Sequence, residues 1–141
     1  MVEVINRQRG RKIDAGRWRR FAEGALEAIG AAGEGATLVF VSDRAMRGLN
    51  RRWRGKLGTT DVLSFPTEPE EFEAPEDLSL GDVVISVEQA ARQARENGLE
   101  FDGEVAQLIL HGLLHLCGYD HERDGGEMNR LELRLRRRLG I

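Results

Sequence analysis

The chain has 141 residues, 40% of them hydrophobic and 32% charged, with a formal net charge of −3. That is the make-up of one ordinary globular domain, long enough to bury a core without covalent staples. Its one cysteine, Cys117, excludes an intrachain disulfide framework and favours a reducing compartment, and no apolar run approaches a membrane span.

In chain order, Val2 to Asn6 alternates as a first strand. The basic run Arg7, Arg9, Arg11 and Lys12 that follows is unlike a secretory leader, so the expected location is the cytosol. Asp14 is a candidate N-cap for a helix to about Ala32, ended by Gly33 and Gly35. Trp18, Phe21, Ala22, Ala25, Leu26 and Ile29 form one continuous apolar stripe on it. Thr37 to Val41 reads as a buried strand. Ser42 or Asp43 then caps a short helix with Met46, Leu49 and Trp53 facing inward. Residues 54–60 form a loop, and Asp61 to Phe65 a strand closed by Pro66, whose direction the sequence leaves open.

Residues 67–79, with two prolines and six acids, read as an exposed loop. Leu80 to Val87 is a strand, and Ser86 to Gln89 fits a capping box opening a helix that stops at Asn97-Gly98. A helix from Phe101 to Cys117 is apolar nearly all round towards its end and is expected at the centre of the domain. A last helix from about Gly126 to Leu139 packs through Met128, Leu131 and Leu135. The expected fold class is α/β (α+β): a single domain, 1–141, with a mixed sheet of about four strands packed with helices.

Charge is uneven along the chain. Residues 1–60 hold 13 Lys/Arg against 6 Asp/Glu, and residues 61–141 hold 8 against 18. A basic first half fits a polyanionic partner, although 19 of the 21 basic residues are Arg, which genome composition alone would also produce.

All three histidines fall within His111-Gly-Leu-Leu-His115-Leu-Cys-Gly118-Tyr-Asp-His121. His111 and His115 are four apart, so on a helix they point the same way, offset by about 40°. Gly118 can turn the chain back and bring His121 towards them. Three neutral imidazoles suit a zinc-type ion with an open coordination position. Cys117 lies about 240° around the helix from His111, so it reads as a small buried residue and not a ligand. The spacing is that of H-E-x-x-H-x-x-G-x-x-H, with Gly112 where peptidases of that pattern carry their glutamate base. A peptidase would need a substitute for that base.

The His111–His121 stretch resembles the signature of the YbeY family of ribosomal-RNA-maturation endoribonucleases. Arg54-Gly55-Lys56 followed by Asp61-Val62-Leu63-Ser64-Phe65-Pro66 resembles it too, as do Leu80-Gly81-Asp82 and Glu127-Met128. These blocks span about half the chain in the family's order. The resemblance implies a single-strand-specific metallo-endoribonuclease with one zinc ion per chain. Its expected roles are 16S rRNA 3′ end maturation and ribosome quality control. Single-stranded rRNA and the small ribosomal subunit or its proteins are its expected partners, with no membrane.

Carried over by position, the resemblance makes His111, His115 and His121 the metal ligands and Arg54 the basic catalytic residue beside them. Three neutral donors leave a divalent ion its full charge for activating water and polarising a phosphoryl oxygen, and Arg54 could hold the phosphate bidentately. Asp120 is either a fourth ligand or, the reading favoured here, an outer partner of a metal-bound histidine or a turn cap. Lys56 is a candidate phosphate contact or a solvated lysine. Ser64 lines a cleft or faces solvent. Thr59 stands where the family pattern often has Pro, which predicts a looser Arg54 loop. The competing reading is a non-catalytic ribosome-assembly factor with a structural metal; a zincin-like peptidase ranks below both.

Overall fold

The computed structural model of the protein describes residues 1–67 and 79–141, so the expected acidic loop lies almost wholly outside the described residues. In chain order the elements are β1 (Val2–Asn6), α1 (Ala15–Ile29), β2 (Gly35–Val41), α2 (Asp43–Arg54) and β3 (Val62–Pro66). They continue as β4 (Ser79–Ser86), α3 (Val87–Glu96), α4 (Phe101–Leu116) and α5 (Glu127–Leu139). The strands form one sheet in the order β1-β2-β4-β3. β1, β2 and β4 run parallel, and β3 pairs antiparallel with β4 from Val62↔Ile85 to Pro66↔Gly81. This is the mixed four-stranded α+β sheet that the sequence predicts, and it fixes the direction of β3. Pro66 sits at the end of an edge strand, where a missing N–H costs no ladder bond.

Side-chain alternation divides the sheet into two faces. Ala36, Leu38 and Phe40 of β2 with Val83 and Ile85 of β4 meet α1 and α4 in the main core, which Met128 and Leu135 of α5 close from behind. The other face carries Val41, Leu63 and Val84 and is capped by Met46 of α2, with Val39, Leu49 and Phe65 around them. Central placement of α4 follows from its composition. Ile109, Leu110, Leu113 and Leu114 are all 0% exposed, and burying each contributes about 1.5–3 kcal/mol.

Local signals set the helix starts. Asp14 Oδ1 accepts from the Arg17 N–H at 3.1 Å, Ser42 Oγ from Ala45 at 3.2 Å and Ser86 Oγ from Gln89 at 3.2 Å. Each such cap contributes about 1 kcal/mol. Only half of the predicted capping box forms at Ser86. The Gln89 side chain accepts from Arg92 instead, and the Ser86 N–H donates to the Asp61 carbonyl at 2.9 Å.

Two expectations need correction. α1 ends at Ile29 and not near Ala32, because Gly30 already takes the left-handed conformation (φ 100°) and its N–H closes on Leu26 and Glu27. Trp53 is 64% exposed and not inward. Its ring meets Phe65 at 6.0 Å, and β3 is the edge strand of the sheet among the described residues.

Helix α4 meets the sheet at close range at Gly112. A Cβ there would stand 2.5 Å from Val83 Cγ1 and 3.3 Å from Ser64 Oγ. The Ser64 hydroxyl donates to the Gly112 carbonyl at 3.2 Å, pinning β3 to α4. Gly112→Ala is therefore expected to destabilise the fold by about 1–3 kcal/mol through overpacking, read as a lower urea midpoint at unchanged m-value. Wild-type stability would contradict this contact.

Candidate metal centre

His111 and His115 leave the last two turns of α4 on the same side, and Gly118 (φ 97°) reverses the chain just after it. His121 follows on an exposed turn shaped by Asp120. The Asp120 side chain accepts from the Glu122 N–H at 3.0 Å and pairs with Arg123 at 3.4 Å, while its carbonyl accepts from Arg123 and Asp124. Asp124 in turn accepts from the N–H groups of Gly126 and Met128 at 2.9 Å each and so opens α5. Those two bonds hold the Asp124 carboxyl below its usual range.

One ligand nitrogen from each of His111, His115 and His121 lies within 4.8 Å of the other two, a group that could hold a metal ion. The Nε2 atoms of His111 and His115 face each other at 3.2 Å. Two imidazoles on one tetrahedral zinc stand about 3.3 Å apart at Zn–N distances near 2.0–2.1 Å, so this pair already has a suitable separation. The donor set fits: three imidazoles, no thiolate and no carboxylate among the described residues of the cluster.

The surroundings of His115 and His111 bear on how each ring is presented. Burial lowers the His115 pKa first, then the neighbouring His111 and His121, against opposing effects of the Tyr119 backbone and Asp120. His115 is thereby kept in the neutral form that ligates metals. His111 donates from Nδ1 to Glu132 Oε1 at 3.0 Å, which leaves Nε2 free to face the cluster. Glu132 is only 6% exposed. Burial alone would raise its carboxyl pKa, but the hydrogen bond from His111, joined by the charge and bond of Arg136, offsets that and leaves it below the ordinary range.

Glu132 was missed in the sequence because it lies 21 residues beyond His111 on another helix. A local signal for it existed. Met128, Glu132 and Leu135 share the buried stripe of α5, and a carboxylate on an apolar stripe requires a partner.

The imidazoles open onto a cleft of about 410 Å³ whose lining includes Arg54, Thr60, Asp61, Ser64, Pro66 and Glu122. Arg54 and Ser64 are thus brought to the histidines. Lys56 is exposed and Asp120 half-buried, and neither lines the cleft. Cys117 is half-buried against the main core and outside the histidine group. Burial, then the charge of Glu34, pushes its thiol pKa up.

The Arg54 loop is tied down, in contrast to the looseness predicted from Thr59. The Thr59 hydroxyl donates to Asp43 Oδ1 at 3.0 Å, and Asn50 Nδ2 to the Gly58 carbonyl at 3.2 Å. Asp43, 5% exposed, also accepts from Ser86 Oγ at 2.6 Å and from Arg92. Burial would raise the Asp43 pKa, yet the bonds from Ser86, Arg92 and Thr59 together hold it below the usual value. Gly81, from the Leu80-Gly81-Asp82 block, has φ +141° and a backbone so close to β3 that a Cβ would lie 2.2 Å from the Phe65 carbonyl oxygen.

Fold and site together define a class: an α+β domain whose central helix presents two imidazoles and the turn after it a third, a group able to hold a metal ion at the wall of an open cleft. Residues 3–140 match the family model described as Endoribonuclease YbeY. The chain belongs to the YbeY family. It is 41% identical to the endoribonuclease YbeY of Geobacter metallireducens over 136 residues, 96% of this chain and 91% of that one. The Aquifex aeolicus protein of the same name is 44% identical over 88% of this chain and 81% of its own length. The fold also matches the solution structure of a Thermotoga maritima protein with a TM-score of 0.66 and 25% identity, over 99% of this chain and 89% of that one.

If the Glu132 carboxylate orients His111, Glu132→Ala should weaken the binding of a divalent metal ion about 10–100-fold, with Glu132→Gln losing less. Competition against a chromophoric chelator measures this, and unchanged affinity in both variants would remove Glu132 from the site.

Proposed function

We propose that the protein is a zinc-dependent, single-strand-specific endoribonuclease acting in 16S rRNA 3′ end maturation and ribosome quality control in the cytosol. The observation that carries this reading is the meeting of three imidazoles with the Arg54 guanidinium in one cleft, in a chain whose family is named for RNA cleavage. His111, His115 and His121 would hold one zinc ion per chain, which when bound supplies Lewis-acid polarisation and an activated water.

The chain's own residues supply the rest. Arg54 grips a phosphate by two parallel N–H bonds and stabilises charge that grows on its oxygens. The anchors at Asp43 and Asn50 fix the loop that follows it. Glu132 holds His111 in the tautomer whose Nε2 faces the cleft. Ser64 keeps β3 against α4, so its hydroxyl supports the wall more than it contacts substrate. Lys56 stays a peripheral phosphate contact and Asp120 a turn former beside His121.

The peptidase reading loses support at Gly112. That position faces Val83 and has no room for the glutamate such enzymes need. No described helix is long and apolar enough to cross a membrane.

In nuclease-free preparations, wild-type protein with zinc is expected to cut single-stranded RNA, with activity falling about 100–1,000-fold in Arg54→Glu and to background in His111→Ala. Chelation should abolish cleavage and zinc restore it. RNA binding without cleavage by the zinc-loaded wild type would contradict the proposal and support an assembly factor with a structural metal.

A further inference from the structure

α1 and α4 cover one face of the sheet, whereas α2 covers only part of the other. Beside α2 that second face retains a groove of about 650 Å³, floored by Val39, Val41, Leu49 and Val84. Its charged lining is Arg7, Arg44 and Arg52, with no carboxylate. None of these three arginines enters an ion pair among the described residues.

The charge of α2 is one-sided. The helix carries five arginines against one acid, Asp43, and Asp43 is buried and already bonded by Ser86, Thr59 and Arg92. Cations in the last turn have a local explanation, since Arg51, Arg52 and Arg54 complement the carbonyl end of the helix. Arg44 has none. It lies in the first turn, where the helix dipole disfavours a positive charge. Arg7 follows β1 and belongs to no helix. Both nevertheless stand on the rim of the same apolar floor.

The same helix connects this groove with the metal centre. Arg44 and Arg52 line the groove, and Arg54 lines the cleft of the histidines. Between Arg52 and Arg54 stands Trp53, 64% exposed and braced edge-on by Phe65. Cations along a groove combined with an exposed aromatic ring and an apolar floor are what a single-stranded nucleic acid engages: phosphates on the arginines, base faces on the indole and floor.

We propose that this groove is a second RNA-binding surface, along which the single strand continues from the histidine cleft past Trp53 and over α2. The identity of the strand rests on the RNA-cleavage reading of the cleft.

The test uses the full chain, loaded with zinc wherever cleavage is measured. In a His111→Ala background, which keeps the strand intact, a long single-stranded RNA of about 16 nucleotides is titrated by fluorescence anisotropy across a salt series. Arg44→Gln/Arg52→Gln is expected to weaken binding at least tenfold and to lower the salt slope by about 1.4, two single-strand phosphate contacts. With His111 intact, cleavage of a short RNA of about 4 nucleotides, too short to reach the groove, should be unchanged by the double variant. Trp18 is 2% exposed, so Trp53 is the accessible indole. The long strand should therefore quench tryptophan emission, and Trp53→Phe should remove that quenching.

Unchanged long-strand affinity in the double variant with an unchanged melting temperature would overturn the proposal. So would polyglutamate displacing the strand as well as unlabelled RNA does, which would assign the groove to an acidic protein. Failure of the wild type to cut even the short RNA would sink the cleavage reading instead, and the binding and quenching results would still decide the groove.

Discussion

Gly112 lets the backbone of α4 come down onto Val83 of β4, and the placement of the three-histidine group depends on that approach. At this distance the helix is fixed in rotation as well as position. The Gly112 side faces the sheet and the Ser64 hydroxyl bonds its carbonyl. The flank bearing His111 and His115 must then face the cleft beside β3. A glutamate at 112 would demand space that Val83 occupies. The contact that orients the histidines thus also removes the base on which peptidases with the same spacing rely.

Electrostatics complete what packing begins. Burial and mutual repulsion favour a neutral His115, and Glu132 fixes the His111 tautomer through a bond that crosses from α4 to α5. On the opposite side of the sheet, Asp43 is enclosed by Ser86, Thr59 and Arg92. Its negative charge therefore anchors the Arg54 loop, and of the α2 arginines it pairs with Arg47 alone, at 3.9 Å. Two buried carboxylates thus organise the two ends of the cleft, one behind the imidazoles and one behind the guanidinium.

The features legible in the sequence were those with a short reach. Asp14, Ser42 and Ser86 act as caps within three residues, strand alternation has period two, and the pairing of His111 with His115 needs only the helical repeat. What escaped depended on partners distant in sequence. Glu132 is meaningful only once α5 lies beside α4. The direction of Ser64 required knowing which face of β3 meets the central helix. Trp53 followed the inward periodicity of Met46 and Leu49 but lies at the sheet edge, where only the edge of Phe65 meets it among the described aromatic rings. Thr59, read as a departure that loosens its loop, ties that loop down because Asp43 awaits its hydroxyl.

The central claim is that His111, His115 and His121, without Cys117, converge on a single ion. X-ray absorption at the zinc edge of the loaded protein tests it most directly. The account predicts one zinc per chain, with scattering from three imidazoles at about 2.0–2.1 Å and no sulfur shell. A sulfur shell near 2.3 Å, or fewer than three imidazoles, would contradict it.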